Sequence, residues 1–468
     1  MASKGAKMAD TSAITTEMPT VAGIDERAAK EGETSWSSGQ LLRNRNFLLL
    51  WLGHTISAFG DDLTNLTLLI LINALTGSTA AIATMTIVLA VPRVTIGLLG
   101  GVYADRWDRK RILLVSDFVR GILVLGFLLV DSVDRLWLLY ILAFVQACVG
   151  TIDNPARGAI LPQVVPTQGL MAANSLNQTG NLLAMVLGGV AAGLLVGLAG
   201  GYWPSFTLDA LTFFISFALV LSVRVAKRER SVTTVSTTLR ENIASVERDL
   251  RVGLRLIAQT PVLWGSLIVT GVMMLGIGSV NVLFVPFLAN VLHVPITWFG
   301  VIEFAQILGM LLSSGVAATV LKLKSSQVIS GGAIGLGVAI AAIAFTTAPW
   351  QVMAMLFLVG CFITPLQAAL GTKLQTTVPN EVLGRVQSAM NTTIDAANLI
   401  SMASAGLLGT MLGIRNVFIF AGVISIFAGL LAVRLFRQSE VTKWQLSSVI
   451  LSPCDTAGLS NNRIKILL

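Results

Sequence analysis

Charge is scarce in this chain, and so are the side chains that carry covalent or metal chemistry. Asp, Glu, Lys and Arg together make up 12% of its 468 residues, against about 25% in soluble proteins. Only two histidines occur, His54 and His293, and neither lies in an H-E-x-x-H pattern that would hold zinc on one helix face. The three cysteines, Cys148, Cys361 and Cys454, show no metal-ligand spacing and no sign of a disulfide framework. There is no P-loop, so ATP does not drive any process through this chain alone. No cofactor or metal is expected, and no enzyme. Residues 1–40 lack the apolar core of a signal peptide and read as a disordered cytoplasmic tail.

What is abundant is hydrocarbon. Hydrophobic residues account for 54% of the chain and are arranged in long unbroken runs. Crossing a bilayer as a helix takes roughly 20 apolar residues. Only helices and closed barrels satisfy their backbone hydrogen bonds in lipid, and these runs are too long and continuous for barrel strands. They fall near 47–75, 79–101, 112–131, 136–153, 170–199, 203–223, 262–292, 297–321, 327–346, 349–372, 383–412 and 414–435, predicting twelve spans. Loops after even-numbered spans hold Arg106, Arg109, Lys110 and Arg111, then Arg224, Lys227 and Arg228, then Lys322 and Lys324, then Lys373 and Arg385. Loops after odd-numbered spans hold chiefly Arg135 and Arg415. That asymmetry places both termini in the cytoplasm. It also accounts for the net charge of +8 without invoking nucleic acid.

The fold class expected is an all-α polytopic membrane protein of twelve transmembrane helices in two pseudo-symmetric six-helix bundles. The bundles are 41–223 and 261–437, joined by a cytoplasmic linker at 224–260 and followed by an unstructured cytoplasmic tail at 438–468. Within the linker, Val246, Leu250, Leu254 and Ile257 recur at helical spacing, predicting an amphipathic helix along the cytoplasmic surface. An internal repeat supports the division. Val165-Pro-Thr-Gln-Gly-Leu170 aligns with Val378-Pro-Asn-Glu-Val-Leu383, and the same offset pairs Cys148 with Cys361 and Thr179 with Thr392.

After span 2 stands Gly101-Val-Tyr-Ala-Asp105-Arg-Trp-Asp-Arg109-Lys-Arg111. It resembles motif A of the major facilitator superfamily, G-x-x-x-D-R-x-G-R-R/K, with Asp108 where the consensus has Gly. Further segments resemble its drug:proton antiporter branch, which includes macrolide, multidrug and siderophore exporters. They include Phe59-Gly-Asp61-Asp-Leu-Thr64, Asn154-Pro-Ala-Arg157, Ala173-Asn-Ser-Leu176 and Gly384-Arg385-Val, and the likeness extends from residue 44 to about 435. The chain departs from that branch in span 5, where Met185-Val-Leu-Gly188-Gly189 replaces the Gly-Pro of the antiporter motif, and motif A is not recognisable after span 8.

Charged groups inside a bilayer are costly and mark functional positions by default. Asp61 and Asp62 lie near the middle of span 1 and only one of them is expected to face the cavity; Asp61 matches the family pattern. A carboxylate there is the residue type that takes up and releases protons. Glu303 in span 8 and Asp395 in span 11 are further proton-coupling candidates. Gln387, Asn391, Asp395 and Asn398 form one polar stripe on span 11, partly repeated on span 5 by Asn174, Gln178 and Asn181. Together with Asn65 and Gln306, these amides are candidates for lining a substrate cavity, with interhelical hydrogen bonding as the plainer reading. Arg93 reads as snorkelling to the cytoplasmic surface, Asp209 as structural, and Asp117 as the partner of Arg120 one turn on.

What the resemblance implies for motif A is a conformational latch of Gly101, Asp105, Arg106, Arg109, Lys110 and Asp153. Gly101 would let helix 2 approach helix 11, Asp105 would face the start of that helix, and Arg109 would bridge Asp105 to Asp153. The resemblance also implies a monomeric exporter in a bacterial inner membrane, moving amphipathic small molecules in exchange for protons by alternating access. A narrow endogenous cargo such as a siderophore, or a transport-inactive sensor, stays open.

Overall fold

The computed structural model describes residues 38–96, 108–224, 239–320, 325–378 and 380–451. Twelve long helices follow one another: α1 (Arg45–Thr76), α2 (Thr79–Thr95), α3 (Arg109–Gly126), α4 (Leu136–Val164), α5 (Leu170–Ala199) and α6 (Trp203–Ser222). After an amphipathic helix at Leu239–Gln259 come α7 (Pro261–Pro286), α8 (Phe299–Val320), α9 (Ser325–Ile343), α10 (Pro349–Thr377), α11 (Asn380–Leu412) and α12 (Ile414–Leu451). No strand occurs among the described residues. Ten of these segments are long and apolar enough to cross a membrane, and α2 adds a shorter apolar helix. The twelfth, α11, has the length but carries the polar stripe.

The turns are set by local chemistry. Asn44 caps α1 by accepting from the Asn46 and Phe47 amides, and Ser78 caps α2 by accepting from Ala81. Asp108 caps α3 through the Arg111 amide, which explains an acid where the resembled motif has glycine. Between α1 and α2, and between α11 and α12, the chain reverses at Gly77 (φ 60°) and Gly413 (φ 80°), a conformation that favours glycine. Exposed Trp137, Trp203 and Trp350 mark the first turns of α4, α6 and α10, where amphipathic rings suit the lipid–water boundary.

Packing repeats with a shift of six helices. In the first bundle α1 packs on α5 and α6, α3 on α4 and α6, and α2 on α4. In the second, α7 packs on α11 and α12, α9 on α10 and α12, and α8 on α10. The seam between bundles obeys the same exchange, with α2 against α11 and α5 against α8. The two bundles are therefore related by a pseudo-two-fold axis, as expected of parallel duplication.

Contacts across the seam lie toward the end at which α1 turns into α2. There Asn73 and Asn290 exchange two amide hydrogen bonds of 3.1 Å, and Thr79 Oγ1 donates to the Gly406 carbonyl at 3.2 Å. Asn290 sits in a π-helical turn, Phe287–Val291, that extends α7. His293 follows with φ 52°, a left-handed conformation uncommon for a side chain of its size. Deeper along the seam, Gly189, Gly193 and Gly197 of α5 press on Thr297 and Gly300 at the start of α8, so closely that a Cβ on Gly300 would collide with the Gly189 carbonyl. Small residues give such close approach without any hydrophobic drive in lipid.

Two expectations need correction. Span 4 does not stop at residue 153 but runs on to Val164, because the charges that suggested its end are paired inside the protein. Helix α12 continues to Leu451 rather than giving way to an unstructured tail at 438; neither glycine nor proline interrupts residues 430–452. The amphipathic helix is present, and its apolar side packs on protein. Gly253 meets the Arg385 carbonyl and Ala389 of α11, and Ile257 is buried with Leu263, Leu374 and Val386.

Gly300→Ala should force α5 and α8 apart and cost about 1–3 kcal/mol. Thermal unfolding of the detergent-purified protein measures it, and an unchanged midpoint would mean that the seam is looser than described.

Candidate functional site

Six charged side chains from four helices meet inside the first bundle: Asp61 on α1, Asp117 and Arg120 on α3, Asp153 and Arg157 on α4, and Asp209 on α6. Arg120 Nη2 is ion-paired with Asp61 Oδ1. Arg157 binds Asp153, one turn earlier on its own helix, and reaches across to Asp117 Oδ1 at 3.0 Å. Ser216 Oγ donates to the other Asp117 oxygen at 2.6 Å. The Arg120 guanidinium lies over the Phe213 ring, 4.4 Å from its centroid. Four acids thus surround two arginines. Among these groups Asp153 Oδ1, Asp209 Oδ2 and Arg120 Nε are buried without a hydrogen-bond partner. Glycines make the assembly compact: Gly53 and Gly60 admit Ser216 and Asp209 of α6 against α1, and Gly150 admits the Arg120 guanidinium against α4.

This arrangement overturns one sequence-based pairing. Asp117 is not the partner of Arg120; it belongs to Arg157 and Ser216, while Arg120 goes to Asp61. An i,i+3 spacing puts both on one side of α3, but stronger partners on α1 and α4 take them. In this state Asp153 is held by Arg157. Arg109 donates to the Ala159 carbonyl at 2.6 Å, and Lys110 to the Leu221 and Val223 carbonyls at 2.8 and 2.7 Å. Both cations thereby fasten the start of α3 to its own bundle. Gly101, Asp105 and Arg106 of the expected latch lie outside the described residues. Arg157 went unrecognised as an intramembrane charge; its i,i+4 spacing from Asp153 was the available signal, and Pro155 between them obscured the continuing helix.

The two adjacent acids of α1 diverge. Asp61 turns into the bundle toward Arg120, with its side chain 29% exposed. Asp62 lies against Gly188 of α5, whose added Cβ would stand 2.8 Å from the Asp62 Cβ. One residue further on, a Cβ at Gly189 would stand 3.2 Å from Glu303 Oε2 on α8. The Gly-Gly pair that replaces the antiporter Gly-Pro is therefore the spacer between an acid of each bundle. Asp62 is within electrostatic range of Glu303 and Arg93, and Arg93 also acts on Asp395 of α11. Arg93 itself is exposed.

Along α11, Gln387, Asn391 and Asp395 are exposed, and Gln387 Nε2 donates to Asn391 Oδ1 at 2.9 Å. Asn398 leaves the stripe: it packs against Gly278 of α7 with its carbonyl oxygen buried. On α5, Asn174 and Gln178 are exposed, while Asn65 on α1 and Gln306 on α8 are half-buried. A cavity of about 190 Å³ opens among α1, α4 and α5, lined by Trp51, His54, Arg157, Asn174 and Asn177 among others. It lies toward the end opposite the Asn73–Asn290 contact. Trp51 is held there by a 2.9 Å hydrogen bond to the Leu176 carbonyl. No group of His, Cys, Asp and Glu among the described residues is arranged to hold a metal ion.

The family model of the Major Facilitator Superfamily matches residues 50–402 and 328–464. The chain is 25% identical to the multidrug efflux pump Tap of Mycobacterium tuberculosis over 86% of its length and 96% of the pump's. It is 21% identical to macrolide efflux protein A of Streptococcus pyogenes, covering 81% of this chain and 93% of that one. Among solved structures, a bacterial homologue of the lysosomal transporter Spinster superposes with a TM-score of 0.64 at 15% identity, over 84% of this chain and 97% of that one.

Arg157→Met would strand Asp117 and Asp153, and breaking buried pairs of this kind costs about 3–5 kcal/mol. Arg157→Lys should recover only part of it, since one ammonium cannot reproduce the forked contact. Unfolding midpoints of both variants provide the check; wild-type stability in Arg157→Met would show that the network does not hold the bundle.

Proposed function

Because the chain belongs to the major facilitator superfamily, we propose that this membrane transporter exports amphipathic small molecules of the drug or macrolide kind, in exchange for protons. The observation that carries the reading is the Asp61–Arg120 pair. It is the partly exposed end of a buried charge network, set in the middle of a span, and the network's other arginine, Arg157, lines the cavity. Protonating Asp61 removes the charge that holds Arg120, so one proton can change how α1 is bound to α3. Glu303 and Asp395 supply further acids at the seam, and Asn65, Asn174, Gln178, Gln306, Gln387 and Asn391 offer hydrogen bonds to a cargo. Efflux activity in Tap and macrolide efflux protein A, as their names state, supports the direction of transport.

We take the end carrying Asn73 and Asn290 as the outer side of a bacterial inner membrane, following the distribution of Lys and Arg. The cavity then opens to the cytoplasm, where an exporter must load. The units of movement are the bundles 41–223 and 261–437, and the segments 1–40, 224–260 and 438–468 lie in the cytoplasm. Motif A, from Gly101 through Lys110, would close the inner side in the opposite state. The molecule works as a monomer, since each bundle provides the seam for the other.

Asp61→Asn should fold normally yet lose substrate-induced proton release in inverted vesicles; undiminished release would remove Asp61 from the coupling. Cysteines at Asn73 and Asn290, in a background free of other cysteines, should block efflux when joined by a short cleavable cross-linker and restore it on cleavage. Full efflux by the cross-linked protein would mean that this contact never has to open.

A further inference from the structure

The mechanism above uses Asp61 and leaves Asp209 idle, although Asp209 is wholly buried, at 0% exposure, with one carboxyl oxygen unpartnered. It lies where α6 comes closest to α1. A Cβ added at Gly60, the residue before Asp61, would run into Asp209 Oδ1 and Thr212 Oγ1. Thr212 Oγ1 is 3.3 Å from the same Asp209 oxygen. Arg120 reaches this place from α3, lying over Phe213, one turn beyond Asp209 on α6. Its Nε has no partner, and the charges of Asp61, Asp153 and Asp209 all act on it.

Of the other charges nearby, Asp62 turns away from the bundle interior toward Gly188 of α5. From α3, Asp117 is held by Arg157 and Ser216; from α4, Asp153 is held by Arg157. His54 on α1 faces Arg157 and the cavity. Helix α5 carries no titratable residue, and α6 carries none besides Asp209. Arg157 pairs with Asp117 and Asp153, and Arg120 pairs with Asp61 while lying against the part of α6 that carries Asp209. Two carboxylates on one guanidinium leave an uncompensated negative charge in a buried site, and a proton on one of them removes it.

We propose that Asp61 and Asp209 share one proton and one arginine: Arg120 pairs with whichever carboxylate is ionised while the other holds the proton. In the state described here Asp61 has the arginine and Asp209 the proton. The exchange breaks the O–H bond of the Asp209 carboxyl and forms one on the Asp61 carboxyl, while Arg120 turns from Asp61 to Asp209. Charge is conserved within the site. Asp61, the partly exposed member, then exchanges the proton with water that reaches it, and Asp209 is the internal store. This inference rests on the reading of Asp61 as a proton-coupling acid.

Infrared spectroscopy of the full chain in lipid, with hydrogen–deuterium exchange to identify protonated carboxyls, tests it at neutral pH without needing a substrate. Shared occupancy predicts that Asp61→Asn and Asp209→Asn each remove the band of one carboxyl, because each leaves a lone carboxylate with Arg120. The smaller Asp209→Ser serves if Asp209→Asn does not fold. An undiminished band in Asp61→Asn would mean that Asp209 keeps a proton of its own. An undiminished band in the Asp209 variant would mean that it holds none. Either result overturns the proposal. The vesicle assay of Asp61→Asn reports separately on the transport reading, so a failure of one is not mistaken for a failure of the other.

Discussion

A charge buried away from water must find an opposite charge, and the geometry of the first bundle follows from that requirement. Two arginines and four aspartates can meet only if α1, α3, α4 and α6 bring their midpoints together. Gly53, Gly60 and Gly150 remove the side chains that would keep them apart. The same pairing explains why α4 passes through Asp153 and Arg157 as unbroken helix: bound to one another and to Asp117, they need no water. The second bundle repeats the packing without the charge. Where Gly60 meets Asp209, Gly276 of α7 meets the Ala421 carbonyl and Ser425 of α12. Duplication preserved the socket and the two halves diverged in its contents. Ion chemistry concentrates in one bundle, and exposed amides along α11 in the other.

Where the bundles meet, the logic is steric. Hydrocarbon side chains gain nothing by leaving lipid for one another, so helices associate closely where they are small. The glycines of α5 and the start of α8 provide that closeness, and the Asn73–Asn290 exchange adds a polar contact at the pseudo-two-fold axis. The seam therefore combines glycine backbone contacts, three hydrogen bonds and one cluster of buried apolar side chains shared by both bundles. The π-helical turn and left-handed His293 at the end of α7 put an irregular backbone beside the contact, the kind of feature often found where a helix has to move.

Much of the architecture is legible in the sequence because hydropathy and loop charge report on the bilayer directly. Span positions, the duplication and the amphipathic helix all follow from patterns within one segment. Side-chain partners do not. Asp117 and Arg120 look paired along α3, and only the approach of α1 and α4 shows that each has a better partner. Asp61 and Asp62 are indistinguishable by composition; the 100° between them on the helix sends one to Arg120 and the other to the seam. Asn398 fits the stripe of α11 by spacing but packs against Gly278 of α7, because the stripe is wider than the exposed face. Residues 430–452 lack the helix-breaking residues that would end α12, a local signal outweighed by their mixed polarity.

Helix α11 has a consequence for how the protein is made. Its amides and Asp395 oppose partitioning into lipid, and a segment of this polarity leaves the insertion machinery reluctantly when alone. It is separated from the strongly apolar α12 by a single residue, Gly413, in a left-handed turn that fixes the two helices as a hairpin. The ribosome therefore delivers α12 almost as soon as α11 is complete. The pair can enter the bilayer as one body, with the hydrophobic helix carrying the polar one until it packs on α7, which was made earlier and shelters it from the other side.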